Sequence, residues 1–401
     1  MILPLVWALL AALALVLSWV TGAPGFAWVG YLMLALLVFG VVAARLGERG
    51  LTASRRLSAD RMSLGGQIEV EVQVENRSRL PALWVAAAET LPAGLAMTGV
   101  RGRVGPLAGG ARFHFRYTLQ GGRRGYYQIG PTVLRTGDLF GLSQREHPAG
   151  PPSGLIVFPG IVAIRHGRLP SRRVSTDVRA RHRVFEDPVQ VIGIRPYQHS
   201  DGLRRIHWRA SAHTGQLQSK LFEPFAQIET AIALSLRRSD YPAHPVEAEE
   251  TAELAIVTAA SVAYHVLDRR QRTGLLAVGR DPITPGMDAP LRLRPARGRE
   301  QLAAILSTLG RISLGPAGSL AATLQRERQQ LAWGSLLVVI TPSVDDDLLR
   351  AALTLRRTGF DVSFVLVGRA PRQASTQAGL EVMGISATRV RSEVDIRGLG
   401  L

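Results

Sequence analysis

The stretch TAIALSLRRSDYPAHPVEAEETAELAIVTAASVAYHVLDRRQRTGLLAVG, Thr230–Gly279, reads as strand, helix, strand. Thr230–Leu236 is a short apolar run of the kind that fills a fully buried strand. Glu247–Arg272 reads as one long helix, with acids at its start and arginines at its end, which complements the helix dipole. TGLLAVG is a second apolar strand. Working towards the C-terminus, the alternation continues. Arg299–Leu309 and Ser319–Gln330 read as helices, SLLVVI (Ser335–Ile340) as a strand, Val344–Arg357 as a helix and DVSFVLV (Asp361–Val367) as a strand. Strands alternating with helices predict an α/β domain over 229–401, with a mostly parallel sheet covered on both faces. Ligands of such sheets sit beyond the carboxyl ends of the strands, where the strand order reverses.

Working towards the N-terminus, the period changes to two. QIEVEVQVEN (Gln67–Asn76) and ARFHFRYTL (Ala111–Leu119) alternate apolar and polar residues, the pattern of half-buried strands. YYQIG, TVLRT and GLIVFP read as further short strands, separated by the turn clusters LPAG, LAGG, GGRRG and PAGPPSG. This predicts a β-sandwich of immunoglobulin-like kind over 60–160. His114 and Arg116 fall on the solvent face of their strand.

From Met1 to Ala44 no side chain is charged. The apolar runs 3–20 and 26–44 flank the turn TGAPG (Thr21–Gly25), and each matches the ~30 Å hydrocarbon core of a bilayer in length. Trp7, Trp19, Trp28 and Tyr31 lie near run ends or the turn, where amphipathic rings favour the headgroup layer. A cleaved signal peptide needs a basic start and one shorter core, and neither is present. Residues 1–44 are therefore expected to form a transmembrane helical hairpin with the bilayer as partner. Arg45, Arg49, Arg55, Arg56 and Arg61 follow the second run, so the positive-inside rule is expected to place the soluble part and the N-terminus in the cytoplasm.

The chain has no cysteine, which excludes disulfides, thiolate metal sites and cysteine nucleophiles. Its formal charge of +17 would suit an anionic partner. Of the 48 basic residues, however, only Lys220 is lysine, a bias that points to base composition. The alternative of a membrane-tethered nucleic-acid-binding protein rests on the basic, aromatic region 165–209, and nucleic acid is the less expected partner.

Between the two soluble segments runs DPVQVIGIRPYQHSDGLRRIHWRASAHTGQLQSKLFEP, Asp187–Pro224. It offers an ion pair of Asp201 with Arg195 or Arg205, and Trp208 as a platform for an arginine. This stretch resembles the signature of the domain of unknown function 58 family, bacterial membrane proteins associated with MoxR-type AAA+ ATPases. Gly193, Arg195, Tyr197, Asp201, Arg204 or Arg205, Ile206, Trp208 and Ala212 match its pattern; Ser200 and His213 depart from it. Gly122–Leu142 and the two N-terminal runs also resemble the family. Two roles stay open for Arg195, Tyr197, Asp201, Arg204, Arg205, His207 and Trp208: a polar knot that joins domains, or a docking site for a partner. Residues 161–228 are read as a signature linker.

The resemblance implies that residues 229–401 are von Willebrand A-like. The metal-site positions would then be Ser235, Arg237 and Ser239, with Ser319 and Thr341 more distal. Serine at the first position and arginine at the next remove the carboxylate that a hard dication needs and add a repelling charge. No metal and no cofactor are expected. Either SLRRS is a plain loop, or Arg237 and Arg238 receive an acidic residue of a partner. His182, His199, His207 and His213 lack zinc-site spacing. Asp345, Asp346 and Asp347 suit the first turn of a helix after a Ser343 cap. No Walker A loop, G-x-S-x-G elbow or G-x-G-x-x-G turn occurs. The expected function is a non-enzymatic, membrane-anchored scaffold. It would work with a MoxR-type AAA+ ATPase and other membrane or envelope proteins in complex assembly or maturation.

Overall fold

The computed structural model describes residues 2–138, 143–165, 185–198, 201–225, 229–284, 290–370 and 372–399. His182, His199, Ser200 and the end of the Gly122–Leu142 segment lie outside them. The chain divides into two compact units, 1–160 with 306–312, and 161–305 with 313–401.

The first unit opens with two helices, α1 (Ile2–Thr21) and α2 (Pro24–Glu48). Both are long and apolar enough to cross a membrane. They pack side by side around Gly30, where an added Cβ would lie 2.7 Å from Leu15 Cγ and 3.1 Å from the Ala11 carbonyl oxygen. The second helix runs past its expected end at Ala44 to Glu48, because its last turns pack on the sandwich that follows.

Eleven strands follow: β1 (Leu51–Leu57), β2 (Arg61–Met62), β3 (Gln67–Asn76), β4 (Ala82–Glu89), β5 (Leu95–Gly99), β6 (Gly102–Leu107), β7 (Arg112–Gly121), β8 (Gly125–Ile129), β9 (Thr132–Gly137), β10 (Gln144–Ala149) and β11 (Ser153–Val157). Two antiparallel sheets, β1-β3-β7-β5 and β10-β9-β4-β6, share one core, and a small sheet β2-β11-β8 joins it. The period-two pattern sets the faces. Ile68, Val70, Val72 and Val74 of β3 meet Phe113, Phe115, Tyr117 and Leu119 of β7 inside. Outside, Arg116 pairs with Glu71 at 3.0 Å and Arg112 with Glu75 at 2.8 Å, which are register partners. The sandwich starts at Leu51, earlier than the expected residue 60.

Arg55, expected as a membrane-flanking charge, lies inside the sandwich. Its side chain is 3% exposed and donates to both Glu89 carboxylate oxygens, at 2.7 and 3.0 Å, and to the Ile129 carbonyl at 2.8 Å. Burial, and then the nearby Glu89 charge, push the Tyr117 hydroxyl well above the usual tyrosine range. Arg61 pairs with Asp60. Exposed flanking charges are Arg45, Arg49, Arg56 and Arg61.

The second unit begins with a two-stranded ribbon of β12 (Phe185–Pro196) and β13 (Gln218–Phe225), with the short helix α3 (Trp208–Thr214) between them. The expected linker thus carries its own secondary structure. Register shifts between Glu186 and Gly193 break the alternation that would have marked β12.

Next come β14 (Thr230–Ser235), α4 (Pro245–Asp268), β15 (Thr273–Val278), β16 (Leu291–Ala296), α5 (Arg299–Arg311), α6 (Leu320–Glu327), β17 (Leu336–Thr341), α7 (Asp346–Arg357), β18 (Asp361–Val367), α8 (Arg372–Val382), β19 (Ser386–Val390) and α9 (Glu393–Ile396). The sheet order is β16-β15-β14-β17-β18-β19, with β16 antiparallel and the rest parallel. All six residues of β14, β15 and β17 are buried, as a sheet covered on both faces requires. Helix α4 is buried along most of its length, which explains why it lacks a strongly amphipathic pattern. The central strands β14 and β17 lie side by side, so the strand order reverses between them.

Candidate functional site

The signature residues separate into a knot and an exposed face. In the knot, an Arg195 Nη donates to Asp201 Oδ1 at 2.5 Å, and the Gln198 N–H donates to Asp201 Oδ2 at 3.0 Å. The Tyr197 hydroxyl donates to the Asp201 carbonyl at 3.0 Å, and the Tyr197 N–H reaches the Leu217 carbonyl at 2.9 Å. Asp201 is 8% exposed. The Gln198 N–H first, then the Arg195 and Arg205 guanidiniums, hold its carboxyl below the usual aspartate range. Arg195 is thus the direct partner, and Arg205 acts as a nearby charge.

The chain then turns inward at Ile206, 3% exposed and bridged to Ser219. His207 caps α3, its Nδ1 accepting the Ala210 N–H at 3.1 Å. The Ser211 hydroxyl donates to the His207 carbonyl at 3.1 Å and accepts the Gln218 N–H at 2.8 Å. Gly215, at φ 70°, ends the helix in the left-handed conformation. These bonds tie α3 to the ribbon and leave its other side outward. Leu203 is 73% and Trp208 67% exposed. Arg204, Arg209, Ala212 and His213 are exposed beside them, and Ile194, Leu217 and Leu221 add apolar surface from the ribbon.

The five metal-site positions also separate. At the carboxyl ends of β14 and β17 a narrow depression is lined by Arg237, Asp240, Ser319, Ser343 and Asp345. Ser235 and Thr341 are fully buried behind it, and Ser239 is exposed. The Ser235 hydroxyl donates to Asp240 Oδ2 at 2.6 Å, and the Ser239 hydroxyl to Oδ1 at 3.2 Å. The Tyr241 hydroxyl donates to the Ser235 carbonyl at 2.6 Å. Thr341 donates to the Ser343 carbonyl at 2.8 Å, and Ser343 to the Asp240 carbonyl at 3.0 Å. Arg238 donates to the carbonyls of Pro242 and Ala243, both at 2.7 Å. It therefore braces the loop, and of the two arginines it is Arg237 that lines the depression.

Asp240 carries little signal in the sequence, where it is only an acid following SLRRS. Asp345 is itself the cap of α7, accepting the Leu348 N–H at 2.8 Å, in place of the expected Ser343. Asp346 and Asp347 occupy the first turn. Among the described residues no group of three or more His, Cys, Asp or Glu side chains is placed to hold a metal ion. What the depression offers is a guanidinium and hydroxyls beside carboxylates already engaged by neighbours. That set suits hydrogen bonding and charge pairing better than coordination of a dication.

Comparison with known proteins adds the following. The family model "Protein of unknown function DUF58" matches residues 193–374. The uncharacterized protein YeaD of Bacillus subtilis (strain 168) is 23% identical over 281 residues, an alignment spanning 64% of this chain and 64% of that protein. Among solved structures, the CARDB domain of a Pyrococcus furiosus protein is similar at 14% identity and TM-score 0.22, covering 27% of this chain and 94% of that domain. The pilus adhesin SpaC of Lactobacillus rhamnosus GG is similar at 8% identity and TM-score 0.32, covering 44% and 30%. Residues 193–374, which match this family model, include most of the signature and the switch-point depression, so in this part the chain is similar to the DUF58 family of proteins of unknown function.

Proposed function

We propose that this protein is a membrane-anchored, non-catalytic adaptor that captures a protein partner through the outward face of its signature segment. The observation that carries the reading is the division of that segment. Arg195, Tyr197, Asp201 and His207 satisfy one another and the backbone, while Trp208, Leu203, Arg204 and Arg209 are held outward. Tryptophan and arginine are the residue types that dominate binding energy at protein interfaces. The family resemblance names the partner class, a MoxR-type AAA+ ATPase, together with other membrane or envelope proteins. The anchor is the α1–α2 hairpin in the bacterial inner membrane. The exposed Arg45, Arg49 and Arg56 favour a cytoplasmic soluble part.

In this reading the α/β unit is a metal-free von Willebrand A-like module. Its strand order and the serine-rich depression at the reversal point support that reading, and Arg237 occupies the place of a metal-binding position. The test compares wild type with Trp208→Ala and Arg204→Glu in the full chain, purified in detergent. Capture of the MoxR-type ATPase from the same genome should weaken by about tenfold or more for each variant, with thermal unfolding unchanged. Variants that unfold, or that capture as wild type does, would count against the docking role. Duplex DNA binding with a steep salt slope would favour the nucleic-acid reading instead.

A further inference from the structure

Helix α2 passes from the α1 hairpin into the sandwich without a break, and the residues at the crossing change character within one turn. Up to Phe39 the helix is apolar, with Leu34, Val38 and Phe39 46%, 54% and 55% exposed. From Gly40 its small residues Gly40, Ala44 and Gly47 are buried against β4, β9 and β10. An added Cβ at Gly40 would lie 3.1 Å from Asp138 Cγ, and one at Gly47 3.3 Å from the Thr136 hydroxyl. Asp138 is 1% exposed; its Oδ1 accepts the Ser143 N–H at 2.6 Å, and its carbonyl accepts the Trp84 indole N–H at 2.9 Å. About two turns beyond Gly40, Glu48 faces Arg145 at 3.7 Å and His147 at 3.9 Å.

A carboxylate packed on the helix at Gly40, with an ion pair beyond it, does not fit a hydrocarbon environment. The hairpin register agrees. Gly30 meets Ala11 and Leu15 of α1, so Gly40 is about level with the first turn of α1. Both helices therefore reach the same boundary where the sandwich begins. Between Pro24 and Phe39 the helix spans about 24 Å, short of the ~30 Å of an average bilayer core but within reach of local thinning.

Building on the membrane-anchor reading above, we propose that the sandwich rests directly on the bilayer. The hydrocarbon ends at Phe39–Gly40, the Gly40–Gly47 seam lies in the headgroup layer, and the exposed Arg45 and Arg49 face anionic lipid. The sandwich is then a rigid extension of the anchor, seated on the lipid surface without a spacer.

The cysteine-free chain allows a direct test. Single variants Leu34→Cys, Val38→Cys and Val42→Cys, all at lipid- or solvent-facing positions, are placed in the full chain in native membrane vesicles with the soluble side outward. Each is reacted with a membrane-impermeant maleimide. Val42→Cys should label at least about tenfold faster than Val38→Cys and Leu34→Cys, because a thiol in hydrocarbon does not ionise. Val42→Cys protected like Val38→Cys would move the boundary beyond the seam and overturn the proposal while keeping the anchor. Leu34→Cys labelled as fast as Val42→Cys would overturn the anchor itself.

Discussion

Asp201 and Trp208 belong to the same short signature and have opposite fates. Asp201 is buried and accepts from Gln198 and Arg195; Trp208 projects outward. Because the carboxyl of Asp201 ionises below its ordinary value of 3.8, the ionised form is the one that stabilises the fold. That contribution is complete above the ordinary value and is lost as the pH falls through the lower folded value. The thermal unfolding gap between wild type and Asp201→Asn should therefore be widest above about pH 5 and should close under more acid conditions. A gap independent of pH would mean that the Asp201 charge does not hold the knot. Either result can be read by melting both proteins across a pH series. Residue types alone left Asp201 with two arginines to choose from, since pairing depends on where the ribbon brings Arg195.

At the scale of elements, the clearest agreement between pattern and structure lies in strands with one dry face. The alternation of β3 and β7 reads straight from the sequence because each second residue must be buried. The ribbon β12–β13 was not legible, since its backbone is irregular between Glu186 and Gly193 and apolar residues such as Leu217 and Leu221 stay outside. The start of α7 was legible only in part: the acidic run marked a helix start, but which side chain caps it depends on backbone direction. Asp345→Ala should cost about 0.5–2 kcal/mol in chemical denaturation. Asp347→Ala, whose pairing with Arg350 is 69% exposed, should cost less than about 0.5 kcal/mol. Equal costs would show that the cap is not at Asp345.

At the scale of the molecule, the N-terminal helices are part of the folded body of the first unit. The seam of Gly40, Ala44 and Gly47 covers Ala82, Thr136 and Asp138. A chain starting at Leu51 would leave that surface uncovered. It should unfold roughly 5 °C or more below one starting at Phe39, because a loss near 1 kcal/mol moves the midpoint of a domain this size by that amount. Scanning calorimetry of the two truncations makes the comparison. Equal midpoints would make the helix a detachable anchor.

The sequence by itself determined the apolar hairpin, the β-rich middle and the α/β end, because burial of one face or of a whole run leaves a periodic record in the residue types. It also singled out the signature segment, whose residues carry the resemblance to the DUF58 family. Only the tertiary structure decided that Arg55 turns inward to Glu89, that Asp240 joins Ser235 and Ser239, and that α2 continues into the sandwich. Those outcomes bring together residues far apart along the chain or turned in an unexpected direction, and no local pattern encodes which distant group each will meet.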